Sequence, residues 1–217
     1  VGEKPLLPGN EEHPEEGYRS RYSHEKESAR PGYYEVWLED DSIHAELTAT
    51  LRTGWHRYTY PKGADARLIV DMSPSIHHRN HPITKLRALN DSVLVGMREV
   101  RGWAPRRSIY FYAVCSSPFK ASLYANAEQP VVEDSVTSRD AKAVLDFYDI
   151  SDNGQVMIKV GISAVDEEGA RKNLMAEAAD WSFDTKRELA DAAWNKKLGC
   201  IEIETNDAEH RTIFYTS

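Results

Sequence analysis

The chain has 217 residues, 41% of them hydrophobic and 29% charged, with a formal net charge of −8. That is enough apolar material for one sizeable core, and the acidic balance argues against a nucleic-acid partner, which calls for a basic surface. No run approaches the roughly 20 apolar residues of a membrane span, and the opening VGEKPLLPGN lacks the charged-then-apolar layout of a signal peptide.

Residues 1–32 are rich in Glu, Arg, Ser and His and poor in apolar side chains, which predicts an extended, exposed arm or loop. The Pro31-Gly32 turn then opens a run of strands. Tyr33 to Glu39 is rich in β-formers, Asp40-Asp41 turns, and from Ser42 to Leu51 the residues Ile43, Ala45, Leu47, Ala49 and Leu51 alternate with polar ones. Period two with one apolar face is the pattern of a half-buried strand. Thr53-Gly54 breaks the run and Trp55 to Tyr60 resumes it, so the segment predicts an antiparallel meander with one face in a core. Further strands are expected at 67–72, 83–89, 92–100, 108–115 and 119–125, then at 141–149 and 155–163 after a polar connection over 128–140. Asp152-Asn153-Gly154 supplies a hairpin turn.

The pattern changes at Asp166, which can cap a helix carrying Ala170, Leu174, Met175 and Ala178. A second helix, about 184–198, carries Ala190, Trp194 and Leu198 on one stripe and ends at Gly199. Ile201, Ile203 and Thr212 to Tyr215 read as a returning hairpin. An apolar run so close to the end of the chain reads as a cut within a longer polypeptide. The expected plan is mainly β: an antiparallel two-sheet β-sandwich, supersandwich-like, over 33–165. A helical linker layer over 166–198 and a hairpin over 199–217, completing the sandwich or leading into a further domain, follow it.

Candidate chemistry is sparse. His77, His78 and His81 have a spacing that allows two imidazoles on one ion, but they sit in a Ser/Pro/Asn loop with only Asp71 as a nearby carboxylate, so a solvated loop is preferred. Glu39, Asp40 and Asp41 lack the glycine-bearing loop of a calcium site and read as a hairpin turn. Cys115 shares a strand face with Ile109, Phe111 and Ala113 and reads as a buried thiol rather than half of a disulfide with Cys200. Trp55, His56 and Arg57, with Trp103 in its turn, combine aromatic faces and donors suited to sugar stacking; the competing reading is an edge strand and a plug over the sandwich end. No nucleophile elbow, phosphate loop or zinc-protease signature is present, and paired carboxylates cannot be picked from 35 acidic residues without distances.

Several stretches in order carry a family resemblance. SRYSHEKESARPGYYEVWLEDDSIHAELTATLRTGWHRYTYP (20–61), SIYFYAVCSSPF (108–119), Ile158 to Ser163, the helical part with Asn173-Leu174, Trp181, Phe183-Asp184 and Ala193-Trp194-Asn195, and Ile213 to Thr216 together resemble glycoside hydrolase family 92, the calcium-dependent α-mannosidases. Cys115-Ser116-Ser117 and Asp166 depart from the family's usual residues. The resemblance implies an N-terminal sandwich fragment of an inverting exo-α-mannosidase acting on mannose-containing glycans. Its partner would be its own (α/α)6 catalytic barrel, which would hold the acid, the base and the calcium ligands outside this chain. It implies a secreted, periplasmic or cell-surface location, and no catalytic or metal residue here. The alternatives are a free-standing carbohydrate-binding module, with Trp55, His56, Arg57 and Trp103 as contacts, and a structural dimerisation sandwich.

Overall fold

The computed structural model describes residues 6–9, 16–74, 83–102 and 104–216. In chain order the strands are β1 (Glu27–Arg30), β2 (Tyr33–Leu38), β3 (Ile43–Ala49), β4 (Thr53–Thr59), β5 (Arg67–Asp71), β6 (Ile83–Ala88), β7 (Val93–Val100), β8 (Arg107–Cys115), β9 (Phe119–Tyr124), β10 (Ser135–Ser138), β11 (Lys142–Phe147) and β12 (Gln155–Ser163). Three helices follow: α1 (Glu167–Glu177), α2 (Phe183–Leu198) and α3 (Ala208–Thr216).

The strands form two antiparallel sheets, as the alternation requires. The larger runs β1-β2-β3-β4-β12-β8-β7-β6-β10 and the smaller runs β5-β11-β9. The core lies between them, with Leu86, Leu94, Phe119, Leu145 and Val156 each at most 2% exposed. Ala143, Leu145 and Phe147 supply the buried face of β11, as their spacing predicts. The opposite face of the larger sheet is covered by the helices: α1 lies on β12 and β8, and α2 on β3 and β2. A second cluster forms there from Tyr33, Trp55, Leu174, Ala178 and Phe183.

Two details explain why α1 sits where it does. A Cβ on Gly161 would stand 2.3 Å from the carbonyl oxygen of Ala170, so only glycine lets helix and sheet approach this closely. At the helix's far end Lys159 Nζ donates to the carbonyls of Ala178 (2.8 Å) and Asp180 (3.0 Å), which satisfies acceptors the helix leaves open.

Four expectations are corrected. The Asp152-Asn153-Gly154 turn does not close a hairpin: it carries the chain from β11 in the smaller sheet to β12 in the larger. The arm is not wholly detached: residues 27–30 pair with β2 as an edge strand, and Tyr18 donates to Asp71, which Lys142 also contacts. The polar connection over 128–140 contains β10, which pairs with β6. The C-terminal hairpin over 199–217 is instead a helix over 208–216, because Asp207 accepts from the amides of Glu209 (2.9 Å) and His210 (3.1 Å) and caps a helical turn. Cys115 is buried, Cys200 is exposed, and both are free thiols.

Candidate functional site

β4 lies between β3 and β12 in the larger sheet, and its alternation separates the residues expected to meet sugar. Trp55 and Arg57 face the helices, whereas His56 and Tyr58 face the smaller sheet. Trp55 is 0% exposed. Its ring packs under α1 and α2, with the ammonium groups of Lys159 and Lys186 each 5.7 Å from its centroid, and its Nε1–H meets no partner. A tryptophan without an open face cannot stack on a ligand, so its place is in the core. His56 is also inside: burial lowers its pKa to about 4, and its Nδ1 lies 3.0 Å from the Tyr58 hydroxyl. Trp103 and the three-histidine cluster at 77, 78 and 81 lie outside the described residues.

Arg57 is the member of the set that joins a polar network. Its Nε and Nη2 each donate to Glu46 at 2.6 Å, and Nη1 reaches Asp184 of α2 at 3.0 Å. The guanidinium lies 4.3 Å from the centroid of Phe183. Glu46 also accepts from the Tyr33 hydroxyl at 2.8 Å, and the same hydroxyl reaches Glu35 at 3.0 Å. Burial alone would raise the Glu46 pKa, but the bonds from Arg57 and then Tyr33 outweigh it and hold the carboxyl below its usual range. Burial and the bond to Glu46 push the Tyr33 phenol up.

The network emerges at the surface through Glu35 and His44, whose Nε2 is 3.1 Å from the carboxylate. His44 stacks on Trp37, with ring centroids 5.5 Å apart and planes at 27°. Trp37, His44 and Glu35 floor an open groove of about 580 Å³, which Glu25, Lys26, Glu27 and Ser28 border. Trp37 is 39% exposed. An exposed indole beside carboxylates and an imidazole offers what a polyol needs: a flat apolar face and acceptors for vicinal hydroxyls.

Sequence reasoning missed this group, yet part of the signal was present. Tyr33, Glu35 and Trp37 share one strand parity, and His44 and Glu46 share one on the next strand. What alternation cannot say is where α2 stops covering the sheet, and that decides which of these residues reach solvent. The turn acids are used for bracing: Asp40 accepts from the Arg21 amide (2.8 Å) and Nε (2.7 Å), and Glu39 pairs with Lys26 at 3.0 Å.

A calcium ion finds no suitable place among the described residues. No group of three or more His, Cys, Asp or Glu is gathered to hold a metal there. The enclosed carboxylates are already engaged by cations and hydroxyls: Glu46 by Arg57 and Tyr33, Glu99 by Arg101 and Arg106, and the half-buried Asp71 by Lys142 and Tyr18 and Glu177 by Arg52 and Thr50. Hard cations need several free oxygens.

The family model for the glycosyl hydrolase family 92 N-terminal domain matches residues 1–163, and that for the family's catalytic domain matches residues 169–217. The change falls between the end of β12 and the first turn of α1. Among solved structures, the chain is similar to a family GH92 α-mannosidase from Bacteroides thetaiotaomicron, with a TM-score of 0.89 and 33% identity over 100% of this chain and 30% of that one. The same enzyme in complex with mannoimidazole matches with a TM-score of 0.83 and 36% identity, over 92% of this chain and 27% of that one. A family GH92 inverting mannosidase from Bacteroides thetaiotaomicron VPI-5482 shares the fold, with a TM-score of 0.76 and 23% identity over 87% of this chain and 25% of that one. No curated protein matches the chain. It therefore spans about 30% of the length of the α-mannosidase it is compared with.

Proposed function

The chain belongs to glycosyl hydrolase family 92, and on that premise we propose that it is the non-catalytic N-terminal sandwich of a calcium-dependent, inverting exo-α-mannosidase, together with the first helices of the catalytic domain. The longer enzyme would trim mannose-rich glycans outside the cell. The observation that carries this reading is the apolar outer side of the helical segment. Leu189, Trp194, Leu198, Ile201, Ile213 and Phe214 are each at least 40% exposed, and they fall within the stretch matched to the catalytic domain. Exposed apolar side chains in this number suit an interdomain contact, and the rest of the catalytic domain is their occupant on this reading.

In an inverting glycosidase one carboxyl protonates the leaving oxygen while a second activates water on the opposite face of the sugar. The acid must hold a raised pKa. Glu46, Asp71, Glu177 and Asp184 are all displaced downward, each held ionised by hydrogen bonds or cations. Such groups orient and brace; they do not donate protons at neutral pH. On this reading the acid, the base and the calcium ligands belong to the remainder of the protein, and this chain contributes a wall through Trp37, His44 and Glu35 beside α2.

The test is an assay of the 217-residue chain on α-linked mannobiosides with calcium, beside the longer protein. Turnover by the longer protein alone is expected; turnover by the short chain would refute its silence. The second reading, a free-standing carbohydrate-binding module, is favoured by the Trp37–His44 groove. Calorimetry with mannose and mannobiose separates the two: heat from the short chain that disappears in Trp37→Ala would support the module.

A further inference from the structure

The two sheets differ greatly in width, nine strands against three. Strands sit about 4.8 Å apart, so the smaller sheet covers only part of the face opposite it. The shortfall is visible beside β5. A cavity of about 460 Å³ opens between the sheets, lined by Phe111, Cys115, Ile158 and Val160 from the larger sheet and by Val70 and Met72 from the β5 side. A second cavity of about 220 Å³, walled on its outer side by Tyr18 and Ser20, shares Tyr58, Leu68 and Ile69 with the first. The two form one apolar trough along the outer edge of β5. Ile162, at its rim, is 46% exposed. All five residues of β5 are only half-buried, although its neighbour β11 is almost wholly buried.

The backbone of β5 is arranged to take another strand. The Met72 amide donates to the Ala141 carbonyl (3.1 Å) and the Phe147 amide to the Ala66 carbonyl (2.9 Å). With the register Val70 to Ala143 and Leu68 to Leu145, the even-numbered residues spend their amides on β11, and those of Ile69 and Asp71 point away from it. Among the described residues β5 pairs with β11 alone. At the near end the Tyr60 hydroxyl donates to the Arg67 carbonyl at 3.1 Å, so the edge left open among the described residues begins beyond it.

We propose that this edge is a docking slot for an apolar β-strand from the same polypeptide, outside residues 1–217, which pairs with β5 and closes the trough. The occupant is taken to be the protein's own because the chain spans only about 30% of the comparable α-mannosidase, and because the open surface is continuous with this chain's own core. An unpaired apolar edge is otherwise an aggregation site. The proposal needs family membership and a longer protein but no particular substrate, so it can fail while the mannosidase reading stands, and the reverse.

Amide exchange by NMR on the 217-residue chain and on the longer protein tests it. In the short chain the Ile69 and Asp71 amides should exchange rapidly and those of Leu68 and Val70 slowly. In the longer protein Ile69 and Asp71 should slow by about 100-fold or more. Ile69→Pro adds a second reading: it removes an amide that β11 does not use, which an edge strand tolerates. The melting temperature of the short chain should barely move, while that of the longer protein should fall. Equal exchange at Ile69 and Asp71 in both proteins, or equal destabilisation by Ile69→Pro in both, would overturn the proposal. So would a short chain that scatters light at twice its 24.6 kDa mass and loses that state in Ile69→Pro, which would assign the edge to a second copy. Should Ile69→Pro prevent folding of the short chain, the wild-type exchange comparison alone decides.

Discussion

Glu46→Gln removes one charge from the network beneath α2 and leaves the shape nearly unchanged. Glu46 is 5% exposed and receives two bonds from Arg57 at 2.6 Å and one from Tyr33 at 2.8 Å. Breaking a buried ion pair on one side costs about 3–5 kcal/mol, chiefly because the other charge stays buried. Here Asp184 remains 3.0 Å from Arg57 and the amide oxygen still accepts, so the expected loss is about 2–3 kcal/mol. Urea unfolding of the 217-residue chain at pH 7 should show it as a midpoint lower by about 1 M with an unchanged slope. The pH dependence gives an independent check. The folded-state pKa of Glu46 lies below its ordinary 4.5. A depressed carboxylate contributes stability above the unfolded value and loses it as pH falls through the folded one. The gap between wild type and variant should therefore begin to narrow as pH falls below 4.5 and close only beneath the folded-state value. A loss under about 0.5 kcal/mol, as for exposed pairs, or a difference equally large at acid pH, would refute the network's weight.

The other predictions follow the same structure. Trp55→Phe deletes a buried donor that has no partner and should cost about 1 kcal/mol or less by urea midpoint, against about 3–5 for Trp55→Ala. Gly161→Ala drives a methyl into the Ala170 carbonyl and the Leu174 side chain; a loss of about 3 kcal/mol, with reduced helical circular dichroism, is expected. His56 is held neutral by burial, with a pKa of about 4 against 6.5 in the unfolded chain. The unfolded state binds the extra proton between those values, so this group by itself should cost about 3 kcal/mol from pH 7 to pH 4, and unfolding series at each pH should find the dependence smaller by that amount in His56→Gln. Replacing Trp194 and Leu198 with Ser should improve the solubility of the short chain, as light scattering reads it, while lowering the melting temperature of the longer protein.

Much of this architecture follows from local rules. Alternation over Ile43 to Ala49 and Ala143 to Phe147 and the capping aspartate at 166 specify strands and a helix start from chain-local chemistry. They hold because each strand's faces are set by a period of two, whatever its neighbours are. The Asp152-Asn153-Gly154 turn, by contrast, does not close a hairpin, and Leu51 lies past the end of β3, 95% exposed. The family was equally legible, in the order of its stretches. The C-terminal helix was not: Thr212 to Tyr215 carries β-forming side chains, and the capping bonds that Asp207 accepts, with no strand beside it among the described residues, decide for helix. Trp55 and Trp37 make the point for the site. Both are tryptophans on central strands facing the helical side, and nothing local separates them. The path of α2 buries one and leaves the other open, because burial depends on what crosses overhead and not on the residue beneath. The unequal sheets likewise come from strand pairings far apart in sequence, which alternation does not encode.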